Sequence, residues 1–107
     1  MDGIDMAKYK IKFMFDWECH CLWAADDVTK EAFGYDISPK QLPISRNLRL
    51  FLYYLEAYHD TSMDMEQPPY EGPWWTEEDS VIFRKKCKIA YEQLCKELGE
   101  DYEVIDG

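Results

Sequence analysis

Tyr9, Ile11, Phe13 and Phe15 alternate with Lys8, Lys10, Lys12 and Met14, and this period of two predicts a half-buried strand over Tyr9–Phe15. The period then breaks. Asp16 to Gln41 begins with the cluster Asp16-Trp17-Glu18-Cys19-His20-Cys21-Leu22-Trp23 and carries turn-prone residues at Gly34, Asp36, Ser38 and Pro39. It reads as a long loop with a helical turn near Val28–Phe33. A loop of this length is uncommon in a small domain unless it has a function, so its length hints at binding.

A helical period follows. Leu48, Phe51, Leu52, Leu55 and Tyr58 recur at steps of three and four behind Ser45, a good N-cap residue, which predicts a helix ending near Tyr58 to Thr61. Met63 to Trp75 contains Pro68, Pro69, Pro73 and Gly72, so it should be an extended, stiff surface connection. Thr76-Glu77-Glu78-Asp79 resembles a capping box, with an aspartate whose short side chain should reach back poorly. Phe83, Cys87, Ala90, Tyr91, Leu94 and Leu98 then form one apolar stripe closed by Gly99, predicting a second helix over Glu77–Leu98. Tyr102 to Ile105 makes a short closing strand. A two-stranded pairing with the first strand is marginal alone, so both strands should pack on the helices. The fold class is α+β: two main helices on a small sheet that includes the N- and C-terminal strands, with a long loop after strand one.

Length and composition bound this picture. A chain of 107 residues with 47% apolar and 16% aromatic residues should fold as one domain with one core, residues 1–8 forming a flexible lead-in. The formal charge of -10 disfavours unaided binding to nucleic acid or to an anionic membrane, and a basic protein is the natural complement. No apolar stretch approaches the roughly 20 residues of a membrane span and no signal-like N-terminus is present, which reads as cytoplasmic. Cys87 and Cys95 lie about 12 Å apart along a helix and cannot bridge each other, so reduced thiols are expected.

The charge is concentrated. Between Leu50 and Phe83 stand Glu56, Asp60, Asp64, Glu66, Glu71, Glu77, Glu78 and Asp79, with no Lys or Arg. The same window holds Phe51, Tyr53, Tyr54, Tyr58, Tyr70, Trp74, Trp75 and Phe83. A negative field combined with rigid aromatics suits a surface for a basic protein, although acidic runs are more often merely solvated. The candidate partner-binding set is Glu56, Tyr58, Asp60, Asp64, Glu66, Tyr70, Glu71, Trp74, Trp75, Glu77, Glu78 and Asp79. Trp74 and Trp75 fit core and interface equally well, Trp75 also fits a hydrophobic staple, and Trp23 reads as core. Arg84, Lys85, Lys86 and Lys88 read as the solvent side of the second helix, pairing with acids such as Asp79 and Glu92.

Cys19-His20-Cys21 offers zinc-ligand chemistry, but adjacent side chains point to opposite sides and zinc sites usually space paired ligands by two to four residues. The plain reading is a loop with small buried thiols. No glycine-rich elbow, phosphate-binding loop or His-Glu-x-x-His anchors a reaction, so no enzyme, metal or cofactor is expected.

Four segments carry a family likeness: Lys10-Ile11-Lys12-Phe13-Met14-Phe15-Asp16 with Cys21-Leu22-Trp23, then Leu42-Pro43-Ile44-Ser45, and finally Glu97-Leu98-Gly99-Glu100-Asp101-Tyr102-Glu103-Val104. Together they resemble small acidic bacterial immunity proteins of contact-dependent inhibition and polymorphic toxin systems. The resemblance implies a cytoplasmic protein that binds and neutralises a cognate toxin domain, with a nuclease as the candidate toxin class. Two other classes stay open: an acidic mimic of nucleic acid that blocks a DNA-binding protein, and a small metal protein or enzyme using Cys19, His20 and Cys21.

Overall fold

Ile11 has a strand on each side. Ala24 stands opposite it in an antiparallel neighbour, and Val104 stands opposite it in a parallel one. Four strands thus align in the order β3-β2-β1-β4: β1 (Tyr9–Phe13), β2 (Leu22–Ala24), β3 (Asp36–Ile37) and β4 (Tyr102–Asp106). The computed structural model describes residues 7–15, 20–61 and 75–106. Its helices are α1 (Asp27–Phe33), α2 (Arg46–Asp60) and α3 (Glu77–Leu98), with short 3-10 turns at Pro39–Gln41 and Gly99–Asp101. The expected flexible lead-in and the 63–75 connection lie outside the described residues, except for Ala7, Lys8 and Trp75.

Pleating separates two faces. Ile11, Phe13, Leu22, Ile37 and Val104 meet Leu48, Leu52 and Leu55 of α2 and Phe83, Ala90, Leu94 and Leu98 of α3 in one buried core. Lys10, Lys12 and Trp23 occupy the alternate positions, where Lys10 stands beside Glu103 and Lys12 between Trp23 and Ile105. Trp23 is buried as its sequence suggests, but at a position that alternates with the core residues Leu22 and Ala24. Its indole Nε1 donates to the Met14 carbonyl at 2.9 Å and its ring packs on Tyr35 at 5.3 Å.

The helix limits follow their caps. Ser45 accepts from the Leu48 amide at the start of α2, and Gly99 ends α3 at φ 73, a left-handed conformation that strains any residue with a Cβ. At Thr76 the short aspartate succeeds after all. The Thr76 amide donates to Asp79 Oδ2 at 2.9 Å while the Asp79 amide donates to Thr76 Oγ1, so the capping box is complete. Two expectations need correction. β1 ends at Phe13, because Phe15 leaves the ladder and turns its ring onto Phe13 and Phe83 at 5.3 and 5.0 Å. The 16–41 loop contains β2, α1 and β3, so the helical turn near Val28–Phe33 is a capped helix within a much more regular segment. Thr29 pins that helix to the sheet by accepting from the Lys10 amide at 2.8 Å.

Two carboxylates tie distant parts of the chain together. Glu97 near the end of α3 accepts from the Ser45 amide at 2.6 Å and the Ser45 hydroxyl at 3.0 Å, clamping the start of α2 to the end of α3. On α2, Glu56 accepts from the Cys21 amide at 3.0 Å and pairs with His20 Nδ1 at 3.2 Å. That carboxylate is only 12% exposed and holds the start of β2 against the helix.

Each clamp yields a test. Glu56→Ala should cost about 1–3 kcal/mol of unfolding free energy by stranding the Cys21 amide, read by urea denaturation. The Glu97 carboxyl is held below its ordinary 4.5, first by Gln93 and then by the Ser45 amide. A depressed folded-state value stabilises above pH 4.5 and the benefit is lost as pH falls through the lower folded value. Glu97→Gln should therefore lose stability at neutral pH and show a flatter decline in acid than the parent, measured between about pH 3 and pH 6.

Candidate functional site

The acidic window resolves into residues with different roles. Glu77 and Glu78 are exposed in the first turn of α3, where amide dipoles favour negative charge. Asp79, half-buried beside them, completes the capping box through Oδ2. Asp60 is the last residue of α2, with its carboxylate 4.0 Å from His59 Nδ1. Glu56 points inward to His20 and Cys21 and is occupied as a clamp. Asp64, Glu66, Tyr70, Glu71 and Trp74 lie outside the described residues.

Aromatic rings join the two helix ends. Trp75 meets Tyr58 edge-on at 5.0 Å and Phe83 at 5.1 Å, and its Nε1 donates to Thr61 Oγ1 at 2.8 Å. Its contact falls on Phe83 rather than on the residue four into the helix, so it braces the hairpin instead of forming a simple staple. Because it is half-buried, Trp75 serves as packing on one side and surface on the other. Tyr58 shares this position, with Phe83 at 5.9 Å and Tyr54 at 5.8 Å.

Sequence reasoning missed the apolar seam that continues from these rings. Leu50 and Tyr54 on α2 are 45% and 44% exposed, and Ile82 and Ile89 on α3 are 38% and 59% exposed. Their steps of four and seven put each pair on one helix face, away from the buried stripe, and that second stripe was the available signal. Lys86 joins the two faces: its Nζ donates to Tyr54 Oη at 2.7 Å and lies 4.9 Å from the Tyr54 ring centroid and 5.4 Å from that of Tyr58. It therefore binds aromatic rings across the hairpin, where an acid on its own helix was expected. The Tyr54 bond also raises its pKa.

The remaining candidate chemistry is muted by burial. Cys21 is fully buried, and desolvation followed by the Glu56 charge pushes its thiol far up, which favours the neutral thiol. Cys87 is pushed up to about 12, by burial and then by Asp106, in a groove of about 570 Å3 that also contacts Arg84, Lys88 and Tyr91. Cys21, Cys87 and Cys95 carry free thiols, and Cys19 lies outside the described residues. Among the described residues no three His, Cys, Asp or Glu side chains group as metal ligands, and no helix is long and apolar enough to cross a membrane.

The site is a surface with exposed acids at one helix end, a braced aromatic cluster beside them and an apolar seam running away along two helices. No curated protein matches the chain significantly. A family profile does match, and it spans both terminal strands of the sheet and all three helices. The chain belongs to the Serratia CdiI immunity protein-like family, whose profile covers residues 9–105.

Proposed function

We propose that this protein is a cytoplasmic immunity protein that neutralises a cognate toxin domain by occupying its surface, without catalysis, and that the toxin is basic, with a nuclease the favoured class. Family membership supports the immunity role. One observation carries the choice of surface: Glu77 and Glu78 stand exposed in the helical turn whose Asp79 lines a cleft with Tyr54, Tyr58 and Trp75, in a sequence window from Leu50 to Phe83 that contains no Lys or Arg. The field of such a patch would steer a basic cleft, and its rings would supply rigid contact area once docked.

The twelve candidate residues divide under this reading. Glu77, Glu78 and Asp60 serve steering, as would Asp64, Glu66 and Glu71. Tyr58 and Trp75 serve packing, as would Tyr70 and Trp74, while Asp79 combines capping with charge. Glu56 contributes through the fold. An acidic surface covering a basic substrate cleft competes with nucleic acid by charge and shape together, so occupancy suffices for inhibition.

The test uses the toxin domain encoded beside this protein's gene, with binding kinetics and growth rescue read in parallel. The double variant Glu77→Lys, Glu78→Lys should slow association roughly tenfold at low salt, flatten its salt dependence and weaken rescue, with little change in dissociation. Glu56→Ala should leave the association rate unchanged. An unaltered rate for the charge-reversed protein would move the interface away from this helix end, and absence of both capture and rescue would overturn the immunity reading.

A further inference from the structure

The end of α2 and the start of α3 enclose a cleft of about 520 Å3, open to solvent and lined by Tyr54, Ala57, Tyr58, Thr61, Trp75 and Asp79. Its walls are aromatic, and among the described residues its one charged lining residue is an acid. Asp79 gives Oδ2 to the capping box, and among the described residues its Oδ1 meets no protein donor. The cleft thus offers ring faces and a carboxylate oxygen together.

The protein already places a cation on two of those rings. Lys86 Nζ donates to the Tyr54 hydroxyl at 2.7 Å and lies 4.9 Å from the Tyr54 ring centroid and 5.4 Å from that of Tyr58, within the roughly 6 Å range over which ring quadrupoles attract an ammonium. Trp75, edge-on to Tyr58 at 5.0 Å, adds the ring type that binds cations best.

We propose that this cleft is a receptor for one arginine side chain of the partner, whose guanidinium stacks on the Tyr54, Tyr58 and Trp75 rings and hydrogen-bonds Asp79. Arginine fits better than lysine because its planar, weakly hydrated cation can stack and still present N–H groups to a carboxylate. Lys86 is then the internal cation that holds the rings in place and competes for them. The partner's identity as a toxin rests on the immunity reading, but the chemistry of the cleft does not.

The full chain is titrated with arginine amide, lysine amide and norleucine amide while the Trp75 indole N–H and the tyrosine ring resonances are followed by NMR. Arginine amide should shift Trp75, Tyr54 and Tyr58 with an affinity in the millimolar range, lysine amide should bind more weakly, and norleucine amide should leave them in place. Lys86→Met should tighten arginine binding roughly threefold by removing the competitor, and Tyr54→Ala, at an exposed position, should weaken it by a similar factor. Lys85→Met makes the same change in net charge and should have no effect. Equal shifts from all three amides would make the cleft a plain apolar pocket, and equal responses of Lys86→Met and Lys85→Met would reduce the effect to net charge; either overturns the proposal. The titration contains no toxin, so a failed titration with intact growth rescue overturns the cleft alone, whereas arginine binding without rescue overturns only the immunity reading.

Discussion

The parallel pairing of β4 with β1 is the constraint on which the rest of the molecule depends. Parallel neighbours cannot be joined by a tight turn, so the chain must cross over before its last strand can lie beside its first in the same direction. α3 makes the return, running back along the sheet so that, after the turn at Gly99, Tyr102 can start β4 beside Tyr9. Its first turn is thereby placed at the far end of β1, where Phe83 meets Phe15. The acids of that turn occupy one end of the sheet because of this topology. α2 is antiparallel to α3, with Ser45 clamped to Glu97 at one end and Thr61 bonded to Trp75 at the other. The geometry of the surface is therefore inherited from strand order.

How much of this could be read from sequence depended on how far each interaction reaches. Ser45, Thr76 and Gly99 act on neighbours within one turn, and the limits of α2 and α3 followed from them. β2 and β3 have three and two residues, too few to establish a period, so their segment read as loop although Leu22 and Ile37 are fully buried. Glu56 misled for the same reason. Its partners His20 and Cys21 lie 36 and 35 positions away, and nothing near Glu56 in sequence distinguishes it from a solvated acid. Lys86 likewise found its partner on another helix, 32 positions back at Tyr54. The acidic and aromatic character of the site was legible, but which acids face solvent was not.

A chain with a formal charge of -10 works against itself when folded, since compaction crowds like charges. Part of that charge is used locally: Asp79 caps α3, Asp26 caps α1, Glu97 locks the hairpin and Glu56 anchors β2. Exposed acids such as Glu77 and Glu78 retain their repulsion in the free protein. A basic partner covering them would relieve it, so binding and folding stability are coupled through the same charges.

The hydrogen bond from Trp75 to Thr61, 2.8 Å long, has a geometric consequence. It fastens together the two points at which residues 62–74 leave and rejoin the described fold. The separation of the two helix ends is therefore set by one side-chain bond and the ring contacts around it, so the exposed acids of the first turn of α3 are held at a fixed distance from Tyr58.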